Sequence, residues 1–390
     1  MLPCAAEVAV GDVSLPIARV LGRALEGREL DRDEGLLLGA SGPEAIGPLT
    51  AVADEVRRDR VGDIVTYVVN RNINFTNVCT IGCGFCAFST GPESPDAFDL
   101  SLEEIAAKAA EAWRVGATEV CVQGGLPPEM DGWHYRDILR AIKAVAPELH
   151  IHAFSPMEVV YGAAKTGMPL SDYLAMLRDE GLGSLPGTAA EILDDQIRHT
   201  LSARKLTVDQ WVEVVTTAHR LGIPTTSTMM YGHVETPAHW VNQFCLLRDI
   251  QKETGGFTEF VPLGFIHPNT PLFQRGDARP GPRVEEHLRV HALARLMLQG
   301  RIDNIQVSWV KLGRELSLRC LNAGANDYSG TLMEENISRS AGATEAECLA
   351  PGEIRERIRE AGRIPAERST TYRLLKIFSA SGSRNKSRAA

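Results

Sequence analysis

Apolar positions change their period along the chain. Through LPIARVLGRALEGREL, residues 15–30, leucine and alanine recur at three- and four-residue spacing and DEVRRDR closes the segment, so residues 14–60 read as helices. From Val61 to about residue 340, short runs rich in β-branched and aromatic residues alternate with helix-period stretches, the pattern of a parallel sheet covered by helices. The strands this predicts are 66–75, 118–125, 150–155, 183–187, 223–232, 257–265 and 304–310, with an eighth near Asn326 to Leu332. Helix starts between them are legible as Ser101 with Glu104, Thr207 with Gln210, and Thr236 ahead of Pro237. Seven or eight such strands fit the ~250 residues of a (β/α) barrel. The expected fold class is therefore α/β, a closed or nearly closed TIM-like barrel, with an open doubly wound sheet as the other arrangement.

The corresponding division is a helical extension over 1–60, the barrel over 61–345, a C-terminal helical segment over 346–375 that contains EIRERIREAG, and a disordered tail over 376–390, where the residues are small, polar and basic. No Lys or Arg precedes the first apolar stretch, and Glu7 and Asp12 lie within it, so no signal peptide is expected. No apolar run approaches the ~20 residues of a membrane span. Lys plus Arg number 41 against 50 Asp plus Glu, a net charge of −9, which argues against a nucleic-acid partner held by a broad basic face. Eight cysteines are too sparse for a disulfide scaffold, and three crowd into residues 79–86, which reads as cytoplasmic metal chemistry.

That cluster is Cys79-Thr-Ile-Gly-Cys83-Gly-Phe-Cys86, directly after the first strand and so at the active-site end of a barrel. Structural zinc needs four ligands, usually as two local pairs, and no second pair stands nearby. Three thiolates on a 4Fe-4S cluster leave one iron free, and Gly82 and Gly84 give the backbone room to wrap the cluster and donate N–H bonds to it. A structural zinc or cluster loop is the bland alternative. Cys121, Cys245 and Cys320 sit at apolar positions and read as core.

The spacing, with Phe85 ahead of the third cysteine, resembles the radical S-adenosylmethionine (SAM) superfamily. The resemblance implies that the free iron chelates SAM and that one electron splits it to a 5′-deoxyadenosyl radical. Gln123-Gly124-Gly125 is similar to the GGE motif that receives the SAM amino group, although Leu126 replaces its acidic residue, so only a backbone role for Gly124 and Gly125 carries over. Glu158 and Glu191, each after a strand, are candidates for ribose or ammonium contacts, and each could instead cap a helix. His233, with Glu235, lies in a stretch similar to the segment along adenine in many of these enzymes and is a candidate proton donor or acceptor; a structural histidine is the other reading. Asn326 and Asp327, with Thr331, form a polar segment suited to fixing a planar heterocycle, with Asp327 also a candidate catalytic group; a turn signal would explain the same residues.

The runs NINFTNVCTIGCGFCAF (72–88), FSPMEV (154–159), PGTAAEILDD (186–195), TSTMMYGHVETPAHW (226–240), GGFTEFVPL (255–263) and GANDYSGTLMEENISR (324–339) look like the CofH family. This resemblance implies transfer of the 4-hydroxybenzyl fragment of L-tyrosine to 5-amino-6-(D-ribitylamino)uracil, in synthesis of the deazaflavin chromophore of coenzyme F-420. It implies a 4Fe-4S cluster and SAM as cofactors, a one-electron donor such as ferredoxin or flavodoxin, and a CofG-type second radical SAM subunit. Aminofutalosine synthase or futalosine cyclase of menaquinone synthesis shares similar segments, and a cluster-carrying module without catalysis is the alternative from another class.

Overall fold

The computed structural model describes residues 13–345 and 347–379. Its strands are β1 (Ile64–Val68), β2 (Asn70–Asn74), β3 (Glu119–Gln123), β4 (His150–Ala153), β5 (Thr225–Tyr231), β6 (Phe257–Gly264), β7 (Asp327–Gly330), β8 (Ile364–Arg368) and β9 (Leu374–Ile377). Helices lie between most of them, and their starts follow local chemistry. Ser101 and Glu104 close a reciprocal capping box, as do Thr207 and Gln210, while Pro237 opens its helix at the first position.

The strand expected at 66–75 begins two residues earlier and breaks at Val69, where its partners change. β1 pairs in parallel with β7 and β8, and β2 pairs in parallel with β3. β3 continues to β4, and β5 pairs with β6. The segments at 183–187 and 304–310 join through single bridges, His152 to Ser184, Leu185 to Thr225, Phe260 to Ile305 and Gln306 to Asp327. Gly183, Pro186 and Gly187 limit the first of these, since proline has no N–H for a ladder and glycine weakens a strand. The second turns helical at Trp309. The first strand of the alternation pairs with its last, an arrangement that a doubly wound sheet lacks.

Helices Leu15–Leu25, Arg32–Gly39 and Ile46–Val61 precede β1 and share one hydrophobic core with the strands, running from Ile17 to Ile358. Buried arginines fasten them: Arg248 donates to the Leu30 carbonyl at 2.7 Å, in the link between the first two helices, and Arg289 to the Leu38 carbonyl at 2.9 Å, in the last turn of the second, where a helix leaves carbonyls unpaired.

The C-terminal segment departs from expectation. Residues 346–375 are not helical throughout: helix Pro351–Glu360 is followed by β8, which pairs with β1 from Ile64 to Tyr67, and by β9, antiparallel to β8. Lys376 and Ile377 of the expected tail belong to β9; residues 380–390 lie outside the described residues, as do 1–12, the start of the segment read for a signal peptide. Among the described residues no single helix is long and apolar enough to cross a membrane.

Candidate active site

The C-terminal ends of the strands surround a cavity of about 270 Å³, with Asn74, Gln123, Thr228, Met230 and Leu263 in its wall. The three cysteines sit on this cavity, in the loop after β2. That loop has little regular structure and is tied down through its backbone. The Cys79 amide donates to the Thr90 carbonyl, the Thr80 amide to Leu126, and the Gly84 amide to Leu201 at 2.8 Å. The Gly84 amide is therefore spent inside the protein, which corrects the expectation that it donates to a cluster. Gly82 has φ 70°, the left-handed conformation that favours glycine.

Among the described residues no three ligating side chains meet closely enough for a single ion. A 4Fe-4S cube places each thiolate on its own iron, so three thiols spread along one cavity wall fit a cluster better than a lone metal. Lys205 lies over the Phe85 ring at 4.8 Å and lowers the Cys83 thiol, although burial is the larger effect and leaves Cys83 above its ordinary value. Phe85 itself lines the cavity.

Gly124 and Gly125 also line it, and packing requires both glycines. A Cβ on Gly124 would stand 2.4 Å from the Phe75 ring, and one on Gly125 2.1 Å from the Val78 carbonyl oxygen. Glu158 combines its two expected roles of capping and lining. One oxygen accepts from the Ser155 amide in the capping box of helix Pro156–Thr166, and the other accepts from the Gly124 amide at 3.0 Å. Burial raises its carboxyl to about 7 against these bonds. Glu191 lines the cavity and accepts from Lys205 at 2.6 Å, with Arg198 at 3.7 Å.

Four sequence candidates lie elsewhere. His233 is buried behind the cavity wall: its Nε2 lies 2.9 Å from the Met230 carbonyl, its Nδ1 accepts from the Val234 amide at 2.7 Å, and burial lowers its pKa, so it is a neutral ring spent on holding its loop. Asn326 accepts from Arg295 and from the Ile305 amide, both at 2.8 Å. Asp327 is fully buried in a two-point ion pair with Arg368, Nε to Oδ2 at 2.5 Å and Nη2 to Oδ1 at 3.1 Å. Thr331 clips β2 through the Asn70 carbonyl and amide. None of Asn326, Asp327 and Thr331 lines the cavity: Asn326 and Asp327 stand at the start of β7, at the opposite end of the strands, and Thr331, just past its end, is turned to Asn70. Sequence reasoning missed Lys205, Lys311, Asn74 and Thr188. Lys311 follows the seventh strand position, where the convergence of strand-end loops would have flagged it; Lys205 sits between two helices with no local signal.

The fold and the three-cysteine cavity define a radical SAM protein, and residues 73–242 match that superfamily, while residues 254–381 match the CofH/MqnC C-terminal region. A Methanocaldococcus jannaschii protein, 5-amino-6-(D-ribitylamino)uracil–L-tyrosine 4-hydroxyphenyl transferase, is 49% identical over 351 residues, 89% of this chain and 98% of that one. The FO synthase of Mycobacterium leprae is 54% identical over 342 residues, 88% of this chain and 40% of its own length; that of Mycobacterium tuberculosis H37Rv is 53% identical over 339 residues, 87% and 40%. The chain thus spans about 40% of the length of the FO synthases it matches. Among solved structures, methylornithine synthase PylB superposes with a TM-score of 0.67 at 20% identity, covering 89% of this chain and 97% of that one. The hydrogenase maturase HydG of Carboxydothermus hydrogenoformans gives 0.70 at 16% identity, covering 94% and 84%; both share the TIM-like fold. The chain belongs to the CofH family of radical SAM proteins. That membership implies a 4Fe-4S cluster and SAM.

Proposed function

We propose that the chain is a radical SAM transferase that joins the 4-hydroxybenzyl part of L-tyrosine to 5-amino-6-(D-ribitylamino)uracil in deazaflavin synthesis. The observation that carries this reading is the near end-to-end match with the M. jannaschii transferase. Cys79, Cys83 and Cys86 would hold the cluster, and Phe85, Gly124, Gly125, Glu158 and Glu191 would form the SAM side of the cavity. When bound, the cluster and SAM would supply a carbon radical able to take a hydrogen atom from the substrate.

The chain's own residues position the reactants and exclude water. Ile81, Phe88, Met157, Met230 and Leu263 give the cavity apolar walls, which keep solvent from a reactive centre. The Glu158 bond fixes the turn at Gly124, and the Glu191–Lys205 pair sets a cation beside Cys83. A second, ring-closing radical SAM unit would consume the product, whether on the same polypeptide or apart, and a ferredoxin or flavodoxin would supply electrons. Anaerobic turnover of the reconstituted protein with both substrates and SAM tests the reading by mass spectrometry. Ring-labelled tyrosine should mark the coupled product and carboxyl-labelled tyrosine should not. Retention of the carboxyl label, or turnover of a menaquinone precursor in place of coupling, would overturn it.

A further inference from the structure

Buried cations in this protein are as a rule matched. Arg368 meets Asp327 and Glu259, Arg71 meets Glu111 and Glu334, and Lys205 meets Glu191. Lys311, which is half-buried, has no such match. It stands in the first turn of helix Trp309–Leu321 and lines both the cysteine cavity and an adjoining one of about 350 Å³. Among the described residues its ammonium forms no ion pair with a carboxylate, and its bond is to the Ser338 hydroxyl at 3.3 Å. Glu335, the nearest source of negative charge, is committed elsewhere, accepting from Asn72 and from the Ser338 amide, each at 2.7 Å. Burial pulls the Lys311 ammonium below its ordinary value, so an arriving anion would restore what desolvation costs it.

The same cavity holds an unmet acceptor. Asn74 is 8% exposed; its amide nitrogen donates to the Gln123 carbonyl at 3.3 Å, and its buried Oδ1 has no partner. Asn72 and Asn74 alternate on one face of β2, so Asn74 lies one strand repeat beyond the Asn72–Glu335–Ser338 contacts that lead to Lys311. An ammonium with no anionic partner and an unpaired carbonyl oxygen on one cavity ask for a ligand that carries an anion and a cationic donor together. That is the backbone end of a free α-amino acid.

We infer that Lys311 binds the α-carboxylate and Asn74 the α-ammonium of the amino-acid substrate, making the pair the clamp that positions tyrosine; this rests on the function proposed above. SAM also carries an α-amino-acid end, but the function proposed above seats SAM against Gly124, Gly125, Glu158 and Glu191, which leaves Lys311 for the second substrate.

The test is equilibrium dialysis of the cluster-loaded full chain with labelled tyrosine, tyramine, 3-(4-hydroxyphenyl)propanoate and SAM. Lys311→Met should weaken tyrosine and the propanoate about 10- to 100-fold, the span of a charge-assisted bond, and leave tyramine and SAM within about threefold. Lys311→Arg should recover part of the loss. Asn74→Ala should weaken tyrosine and tyramine and spare the propanoate. Equal loss of tyramine in Lys311→Met, or loss of SAM with tyrosine retained, would overturn the clamp. If wild type binds tyrosine and Lys311→Met binds it equally well, the clamp alone fails; if wild type binds no tyrosine, the functional reading fails with it. Iron content separates misfolding from loss of contact, and Lys311→Arg keeps the test decisive if the Met variant does not fold.

Discussion

At the N-terminal ends of the strands, Arg368 faces Asp327 and Glu259, Asp327 also accepts from the Thr66 hydroxyl and the Ser329 amide, and Glu259 accepts from Gln306 and Tyr372. Glu119, nearby, accepts from Asn70. At the C-terminal ends, Lys311 bonds to a hydroxyl with no carboxylate to match its charge, Asn74 keeps an unmet acceptor, and three thiols face a cavity. Both regions bury charge, but one closes its bonds within the chain and the other leaves them open. A buried polar group left unmatched is costly, so a fold keeps such groups where a ligand will complete them. The closed end holds the fold together, and the open end is where chemistry can occur.

The largest effect that would break this contrast is loss of a cysteine. Replacing any one of Cys79, Cys83 or Cys86 with Ala should abolish 5′-deoxyadenosine formation and lower iron content, while the urea midpoint of the cluster-free chain shifts little, since the loop is tied by its backbone. An active cluster in any of the three variants would sink the assignment. Next comes Arg368→Met, which leaves Asp327 buried without its cation and should cost about 3–5 kcal/mol in urea unfolding. Adding Asp327→Asn to that variant should return part of the loss. If Arg368→Met instead leaves stability intact and selectively uncouples tyrosine from the uracil, Asp327 belongs to the active site after all.

Why the sequence showed one end and hid the other follows from range. The cysteine loop, the glycine turn and the capping boxes are local patterns, each complete within about ten residues, and strand alternation needs only its own period. The Arg368–Asp327 pair joins residues 41 apart, and the strand that brings Arg368 there reads as IPAER, too polar for a strand period to register. GANDYSGT looked like ligand chemistry because buried polar residues cluster in it, yet their partners, Arg295 and Arg368, come from other elements. Lys311 shows the converse: an unremarkable lysine in a helix becomes notable once Ser338 and Glu335 are placed around it.

Glu158 offers a smaller test, of the open end alone. Its carboxyl, ordinarily at 4.5, stands at about 7 in the folded chain because burial outweighs its hydrogen bonds. The folded state therefore binds a proton more tightly than the unfolded state, and its contribution to stability is full below about pH 4.5 and lost as pH rises through about 7. By linkage the total is about 3 kcal/mol. Glu158→Gln should flatten the fall in urea stability across that window. Glu259, raised in the same sense by burial and by Asp327, is present in both proteins, so the difference between their curves isolates Glu158. Parallel curves would mean that Glu158 is ionised in the folded chain.

The smallest expected effect is at His233, and it separates two readings of one residue. As a proton-transfer group, its loss would cost about 10²- to 10⁴-fold in turnover. The structure gives it neither access nor a free nitrogen: the Val234 amide donates to Nδ1, which leaves the Nε2 proton to point at the Met230 carbonyl, and Phe265 packs edge-on against the ring at 5.9 Å. Glu235, whose Oε2 lies 3.2 Å from Nδ1, is held by the amides of Gly232 and His233, by Trp240 and by the Arg279 guanidinium at 3.3 Å, so it has no need of an imidazolium. His233→Gln retains a donor able to reach the Met230 carbonyl and gives up the acceptor for Val234. Stability should fall by about 1 kcal/mol, the worth of one hydrogen bond, while turnover per folded molecule stays within about threefold of wild type. The pH profile of turnover should keep its shape. A loss of 100-fold or more at unchanged iron content, with one limb of the profile removed, would return His233 to the reaction and show that the wall behind the cavity opens during turnover.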